Sequence, residues 1–186
     1  VRKKSRSSRG GQTKLIGRGI VQEKNPISKA KVNTDAKFLM LKNKASWKKL
    51  FNGFVELHGV TYMSSPQYLL TLFEEQGFEK VELLIGHGLV EGYRQQLNGN
   101  NSATEKLFDL VNRKSLIVYG TKATNHSKLY ILKKPGLTRI IIGSPNLSYT
   151  AEGSRQREIC AYWDVEDDDY VGEEILSQVN ENYQAM

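Results

Sequence analysis

The sequence predicts an α/β protein in which helices flank a mixed β-sheet. Between residues 54 and 119, β-rich apolar runs alternate with segments of helical periodicity. Between residues 125 and 163, two apolar strands joined by a Pro-Gly turn are followed by a further strand-like run. Alternation with helices favours parallel strands, whereas a hairpin requires antiparallel ones, so the sheet combines both.

The first strand and helix of this series have clear boundaries. Residues 54–63 are rich in β-formers and predict a strand. A helix is predicted to follow, because Ser65 supplies a capping hydroxyl and Pro66 occupies the first position, where its missing N–H costs nothing. Gly77 is expected to end the helix. The apolar residues at helical spacing are Tyr68, Leu69, Leu72 and Phe73.

The later elements are assigned in the same way. Residues 81–85 are apolar enough for a strand covered on both faces. Residues 105–113 are amphipathic and predict a helix, and residues 115–119 predict the next strand. Before the main series, residues 14–21 predict a strand and residues 46–51 a helical turn.

Composition indicates one domain in a reducing compartment. A chain of 186 residues is long enough for a core of its own. Cys160, the single cysteine, cannot form an internal disulfide and is predicted to be a small buried side chain, so we expect a cytoplasmic protein. The sequence shows neither a run long enough to span a membrane nor a signal peptide. It starts at Val1 rather than Met, as a fragment of a longer protein would.

The net charge of +7 is unevenly distributed. The first 50 residues contain 15 Lys and Arg and 2 acidic residues, whereas the other 136 contain 12 and 18. A basic arm beside an acidic body is typical of proteins that bind nucleic acid, although a solvated tail or a contact with anionic lipid stays open. Residues 1–13 are predicted to be flexible, and the candidate phosphate-binding residues in them are Arg2, Lys3, Lys4 and Arg6.

The hairpin strands contain residues suited to phosphodiester chemistry. His126 and Lys128 are two positions apart in a predicted strand, so both side chains should point to one face. The second strand ends in Gly143, Ser144, Pro145 and Asn146. An imidazole can attack or protonate a phosphodiester, while an ammonium and neutral donors bind its non-bridging oxygens.

This pattern resembles the signature of the phospholipase D superfamily, which is His-x-Lys, four residues, Asp, and then Gly-Ser-x-Asn after a short gap. The matching residues are His126, Lys128, Gly143, Ser144 and Asn146. Lys133 occupies the Asp position, which puts the structural role of that Asp in question rather than the chemistry. The gap before Gly143 is about three residues longer than usual, and we expect a longer hairpin tip over residues 133–138 to absorb it.

The resemblance implies a phospholipase D-like α/β/α sandwich with one lobe per chain, formed by residues 14–186. It is closest to bacterial and archaeal endonucleases, including metal-independent restriction enzymes. It therefore implies a phosphodiesterase that cleaves DNA through a phosphohistidine, without a metal or other cofactor.

That reaction uses two histidines. Because no internal repeat supplies a second motif, the resemblance implies a homodimer in which His126 is nucleophile in one subunit and general acid in the other. Lys128, Ser144 and Asn146 would then bind phosphate oxygens.

Several further residues are weighed as site candidates. Glu158 opens the strand after the motif and is expected to hold the second imidazole nitrogen, the alternative being a surface ion pair. Arg155 and Arg157 are candidate phosphate contacts at the rim. The acidic residues 166–169 are predicted to form the negative first turn of a C-terminal helix, rather than a metal site.

The remaining histidines and two tyrosines are expected to have structural, surface, loop or groove-wall positions. We expect a structural or surface role for His58, a loop position for His87, and core or groove-wall positions for Tyr62 and Tyr130.

RNA stays open as a substrate. The alternatives to the nuclease are a non-catalytic nucleic-acid-binding module of the same fold and a phospholipid phosphodiesterase. Sequence specificity would call for an additional recognition domain or subunit.

Overall fold

The computed structural model describes residues 35–41, 44–86, 93, 96–97, 101–121, 124–149 and 157–186. The predicted strand at 14–21, the basic arm at 1–13, His87 and Arg155 lie outside these ranges.

The described residues form seven strands and four longer helices. The strands are β1 (Lys37–Leu41), β2 (Glu56–Thr61), β3 (Lys80–Ile85), β4 (Leu116–Gly120), β5 (Leu129–Lys134), β6 (Leu137–Gly143) and β7 (Glu158–Glu166). The helices are α1 (Lys44–Phe51), α2 (Pro66–Glu74), α3 (Asn101–Asn112) and α4 (Tyr170–Ala185).

All seven strands belong to one mixed sheet with the order β1-β7-β6-β5-β2-β3-β4. Strands β2, β3 and β4 are parallel to one another, and β5, β6, β7 and β1 continue the sheet antiparallel. The predicted combination of alternating and hairpin segments is confirmed. The two halves meet where β2 pairs with β5, and the candidate site lies at one end of this junction.

The sheet is covered on both faces, which confirms the predicted α/β/α sandwich. On one face, side chains of α1, α2 and α3 pack against the sheet in a cluster that includes Trp47, Leu69, Leu107, Leu57, Leu83 and Tyr130. On the other face, α4 packs through Leu176 and Tyr183 against Val60, Ile131, Ile140 and Val165. Burial of this apolar area on two sides is the main force that holds the layers together.

Helix starts agree with the capping residues in the sequence. Ser65 is the N-cap of α2, and its hydroxyl accepts a hydrogen bond from the Tyr68 N–H at 3.2 Å.

The prediction for the acidic residues 166–169 was wrong in detail, because they precede α4 instead of forming its first turn. Asp169 is the N-cap and accepts from the Gly172 N–H at 3.0 Å, while Glu166 belongs to β7. One short carboxylate therefore satisfies an otherwise unpaired N–H.

The hairpin tip is shorter than predicted. β5 and β6 stay paired up to Lys134 and Leu137, which leaves only Pro135 and Gly136 in the turn. Gly136 has φ +76°, a left-handed conformation that glycine adopts without steric cost. The extra residues therefore lengthen the two strands rather than a loop.

Arg139 and Asp164 form a partly buried ion pair between β6 and β7. Arg139 Nε and Nη2 donate to the two carboxylate oxygens at 2.6 and 2.9 Å, and Nη1 donates to the Leu50 carbonyl at 2.9 Å. Burial alone would raise the pKa of Asp164. Its hydrogen bonds and the charges of Arg139 and Lys37 outweigh burial and hold the pKa below its usual value.

This pair gives a prediction about stability and pH. A carboxylate whose pKa is lower in the folded state stabilises the fold above its unfolded pKa, and the contribution is lost as pH falls through the folded value. We expect Asp164→Asn to lower the free energy of unfolding by about 2 kcal/mol near neutral pH and by less near pH 3. Urea unfolding at both pH values measures this.

Glu74→Gln is the matched control, because Glu74 forms an ion pair with Lys106 in which both side chains are about half exposed. Its effect should stay below about 1 kcal/mol. Equal losses for the Asp164 variant at both pH values would contradict the assigned role of the carboxylate.

Cys160 on β7 lies in the interior of the protein. Cys160 is 2% exposed and burial raises the pKa of its thiol to about 11, so the predicted buried side chain is confirmed. Among the helices in the described ranges, none combines the length and apolar character needed to cross a membrane.

Candidate active site

The His and the Lys of the His-x-Lys motif lie just before β5, not on it. Residues 124–128 precede the strand, which begins at Leu129, so the predicted strand position was wrong by a few residues. Lys128 still continues the ladder, because its carbonyl accepts a hydrogen bond from the Gly143 N–H at 3.3 Å. His126 is exposed and Lys128 is half-buried.

One aromatic ring lies beside both residues of the His-x-Lys motif. The Tyr62 ring stacks on the His126 imidazole with 4.0 Å between centroids and 14° between planes. The Lys128 ammonium lies 5.5 Å from the centroid of the same ring and donates to the His126 carbonyl at 2.6 Å. The imidazole and the ammonium therefore share Tyr62 as a neighbour.

The first residue of the second half of the motif, Gly143, lies beside the first half. Gly143 ends β6 next to Lys128, and both residues line a cleft of about 470 Å³ together with His126. A second cleft of about 530 Å³ reaches His126 from the side of β3 and β4. The imidazole therefore lies between two open spaces at the end of the sheet.

The loop after β6 is held by buried hydroxyls. Thr61 is fully buried, and its Oγ1 accepts from the Leu147 N–H at 3.2 Å and lies 3.4 Å from Asn146 Oδ1. Tyr130 is also fully buried and donates to the Pro145 carbonyl at 2.6 Å. Burial raises the pKa of Tyr130, and the nearby Glu158 charge adds to this, so its hydroxyl stays a donor.

Ser144 and Glu158 contact each other at the rim. The Ser144 hydroxyl donates to the Glu158 carboxylate and accepts from the Ile159 N–H at 3.1 Å. This pair places both residues at the ends of β6 and β7. The expected contact between Glu158 and the imidazole stays a prediction.

Gly86 lets the His126 segment approach the sheet. It follows β3, and a Cβ at this position would lie 1.9 Å from the Asn125 carbonyl oxygen. Gly86 donates its N–H to Thr61 O at 2.9 Å and accepts from the Asn125 N–H at 3.1 Å. The backbone ahead of His126 is thus bound directly to the end of the parallel strands.

Other candidate residues lie elsewhere. Arg157 is exposed just before β7. Lys133 occupies the position at which the family signature has Asp. It lies five residues beyond Lys128 along an extended strand, which places it roughly 16 Å away, at the hairpin end of β5. His58 lies 3.5 Å from the carboxylates of Glu56 and Glu82, in agreement with its predicted structural role.

Sequence reasoning named Tyr62 only as a core or groove-wall aromatic, and it missed Thr61 and Gly86 as parts of this site. A signal existed, because all three follow or end a predicted parallel strand at its carboxyl end, where α/β sheets place ligands. Within the described residues there is no group of three or more His, Cys, Asp or Glu side chains arranged to hold a metal ion.

Comparisons with solved structures find the same fold in other proteins. NucT from Helicobacter pylori matches with a TM-score of 0.50 at 15% identity, over 82% of this chain and 94% of that one. Phosphatidylserine synthase from Haemophilus influenzae matches with a TM-score of 0.54 at 16% identity, over 80% and 38%. A yeast tyrosyl-DNA phosphodiesterase structure matches with a TM-score of 0.48 at 14% identity, over 69% and 32%, so the chain spans about a third of that protein.

Sequence comparison identifies the family. Among curated proteins, none matches the chain. Residues 41–184 match the family described as the NgoFVII restriction endonuclease N-terminal phospholipase D domain. This range contains both halves of the motif and every strand from β2 to β7. The chain therefore belongs to this family of restriction endonuclease domains, within the phospholipase D superfamily.

Proposed function

We propose that this chain is an endonuclease that cleaves DNA by metal-independent phosphodiester hydrolysis through a phosphohistidine. The observation that supports this most is the cleft in which His126, Lys128 and Gly143 lie side by side. It presents an exposed imidazole and a nearby ammonium at the open end of the sheet. The choice of DNA follows the restriction endonuclease family and the basic residues at the start of the chain.

The reaction has two steps. In the first, an imidazole nitrogen of one His126 attacks phosphorus, an N–P bond forms, and the P–O bond to the leaving oxygen breaks. A protonated second His126 gives its proton to that oxygen. In the second, water attacks the phosphohistidine, the N–P bond breaks, and the now neutral second imidazole takes the water's proton. Lys128 balances the negative charge of the phosphoryl oxygens in both steps.

Two imidazoles require two copies of the chain. The cleft around His126 is also lined by Ile142 and Met186, which are 44% and 46% exposed, and Ile159 on the neighbouring strand is 55% exposed. Apolar side chains exposed beside a charged cleft suit contact with a second protein surface. We therefore propose a homodimer about a two-fold axis, with one active site between the subunits.

The other candidate residues have supporting roles in this proposal. Ser144 and Asn146 donate to phosphate oxygens or hold the loop in place, and Glu158 holds the second nitrogen of the imidazole. Arg155 and Arg157 bind flanking phosphates, as do the arm residues Arg2, Lys3, Lys4 and Arg6. Sequence specificity would come from a recognition domain or subunit outside the described domain.

The test is cleavage in the presence of excess EDTA. Wild-type protein and His126→Ala are incubated separately with supercoiled plasmid, single-stranded DNA, RNA and phospholipid vesicles. We expect the wild type to nick or linearise plasmid with EDTA present, and the variant to lose this activity, because the chemistry resides in the imidazole.

The other outcomes would either support a different function or contradict the proposed mechanism. Plasmid binding without cleavage indicates a non-catalytic module, and cleavage of lipid alone indicates a phospholipid phosphodiesterase. Cleavage that EDTA abolishes contradicts the metal-independent mechanism. Activity retained in His126→Ala would remove the proposed nucleophile.

A further inference from the structure

Tyr62 is the described residue whose contacts with the motif have no assigned role. Its ring is nearly parallel to the His126 imidazole, with 4.0 Å between centroids, and the Lys128 ammonium lies 5.5 Å from its centroid. A single side chain thus lies beside both functional groups of the motif. Tyr62 follows β2 directly, and the register of β2 with β5 brings the residues after Thr61 beside the segment before Lys128.

We propose that Tyr62 is a positioning residue for phosphoryl transfer, an inference that rests on the proposed function. His126 is exposed, so its ring has few neighbours to restrict rotation. A parallel ring at stacking distance limits rotation about the Cβ–Cγ bond but leaves the nitrogen edges open. The lone pair that attacks phosphorus lies in the imidazole plane, so fixing that plane fixes the direction of attack.

The stack also places a face of the phenol ring beside the reacting imidazole. A phenol ring has negative faces that attract cations, and the Lys128 ammonium lies 5.5 Å from the centroid of this ring. In the reaction the imidazole becomes positive both when it is phosphorylated and when it is protonated as the acid. Tyr62 therefore interacts more strongly with the reacting states than with the resting one, which raises kcat rather than substrate affinity.

The ring rather than the hydroxyl performs this role. The backbone before Tyr62 is held firmly, because Thr61 is fully buried and its carbonyl accepts from the Gly86 N–H at 2.9 Å. The backbone next to Tyr62 is thereby held in position at the end of β2. A phenylalanine at this position would stack in the same way, whereas an aliphatic side chain of similar size would not.

The experiment compares plasmid-nicking kinetics of wild type, Tyr62→Phe and Tyr62→Leu in EDTA. We expect Phe to stay within about twofold of wild type and Leu to lower kcat about 30-fold with an unchanged KM, which corresponds to roughly 2 kcal/mol. Tyr119→Leu is the control, since Tyr119 is 49% exposed at the end of β4 and should be as active as wild type. Thermal unfolding verifies that each variant folds.

A kcat for Tyr62→Leu within about twofold of wild type, or equal losses for Phe and Leu, overturns the proposal. If the Leu variant does not fold, Tyr62→Met replaces it, with the same expected result. Modification by diethylpyrocarbonate, followed by mass spectrometry, provides a readout independent of nuclease activity. Removal of the stacked ring should raise the modification rate at His126 severalfold and leave His58 unchanged. An unchanged rate at His126 argues against the stack, even if the wild type proves inactive and the proposed function fails.

Discussion

Replacing His126 by alanine is expected to abolish cleavage, and mixing this variant with wild type should remove more activity than dilution does. The variant alone should lose at least about a thousandfold in kcat, since it lacks both nucleophile and acid. In a mixed dimer one imidazole remains, and it has no partner across the phosphorus. Only dimers with two intact subunits should be active, so activity should follow the square of the wild-type fraction.

The measurement is an activity titration after subunits have been exchanged. At equal amounts of the two proteins, about one quarter of wild-type activity should remain, compared with about one half if each chain acts alone. Mixtures with Thr124→Ala serve as the control, because Thr124 is an exposed residue of the same segment outside the motif. A linear dependence on the wild-type fraction would contradict catalysis by paired subunits.

Local signals predicted much of the fold. The cap at Ser65 and the glycine at Gly77 marked the limits of α2, since both act within a few residues of chain. The hairpin around Gly136 followed from turn residues in the same way. Strand β1 was not predicted, because its five residues form a strand only by pairing with β7, which is distant in sequence.

The candidate site was predicted only where residues close in sequence define it. His126 and Lys128 are neighbours by spacing alone, and Gly143 follows within one hairpin. The contact of Tyr62 with His126 depends on the register between β2 and β5 and on a chain segment that lies outside both strands. Likewise, the buried Thr61 hydroxyl has partners in a loop beyond β6. Such contacts are set by tertiary structure, so periodicity and propensity do not reveal them.

Gly86→Ala is expected to inactivate the protein while most of it stays folded. The added Cβ would lie 1.9 Å from the Asn125 carbonyl oxygen and 2.8 Å from its carbon, and both are backbone atoms that cannot rotate away. The segment that contains His126 must therefore move from the end of β3, where it is held by the hydrogen bond from the Asn125 N–H to Gly86. A displacement of about 1 Å can cost roughly a hundredfold in rate.

The loss of stability and the loss of cleavage activity in Gly86→Ala together distinguish a displaced His126 segment from an unfolded domain. Overpacking of this kind costs about 1–3 kcal/mol, which a domain of ordinary stability withstands, so urea unfolding should still show a cooperative transition. Plasmid cleavage in EDTA should fall about a hundredfold, whereas Thr124→Ala, which adds no atoms to the same segment, should retain activity. The rest of the site keeps its own anchors, since Tyr130 holds Pro145 and Thr61 holds Leu147 without Gly86. Full activity in Gly86→Ala would therefore mean that the position of His126 against the sheet does not matter for catalysis.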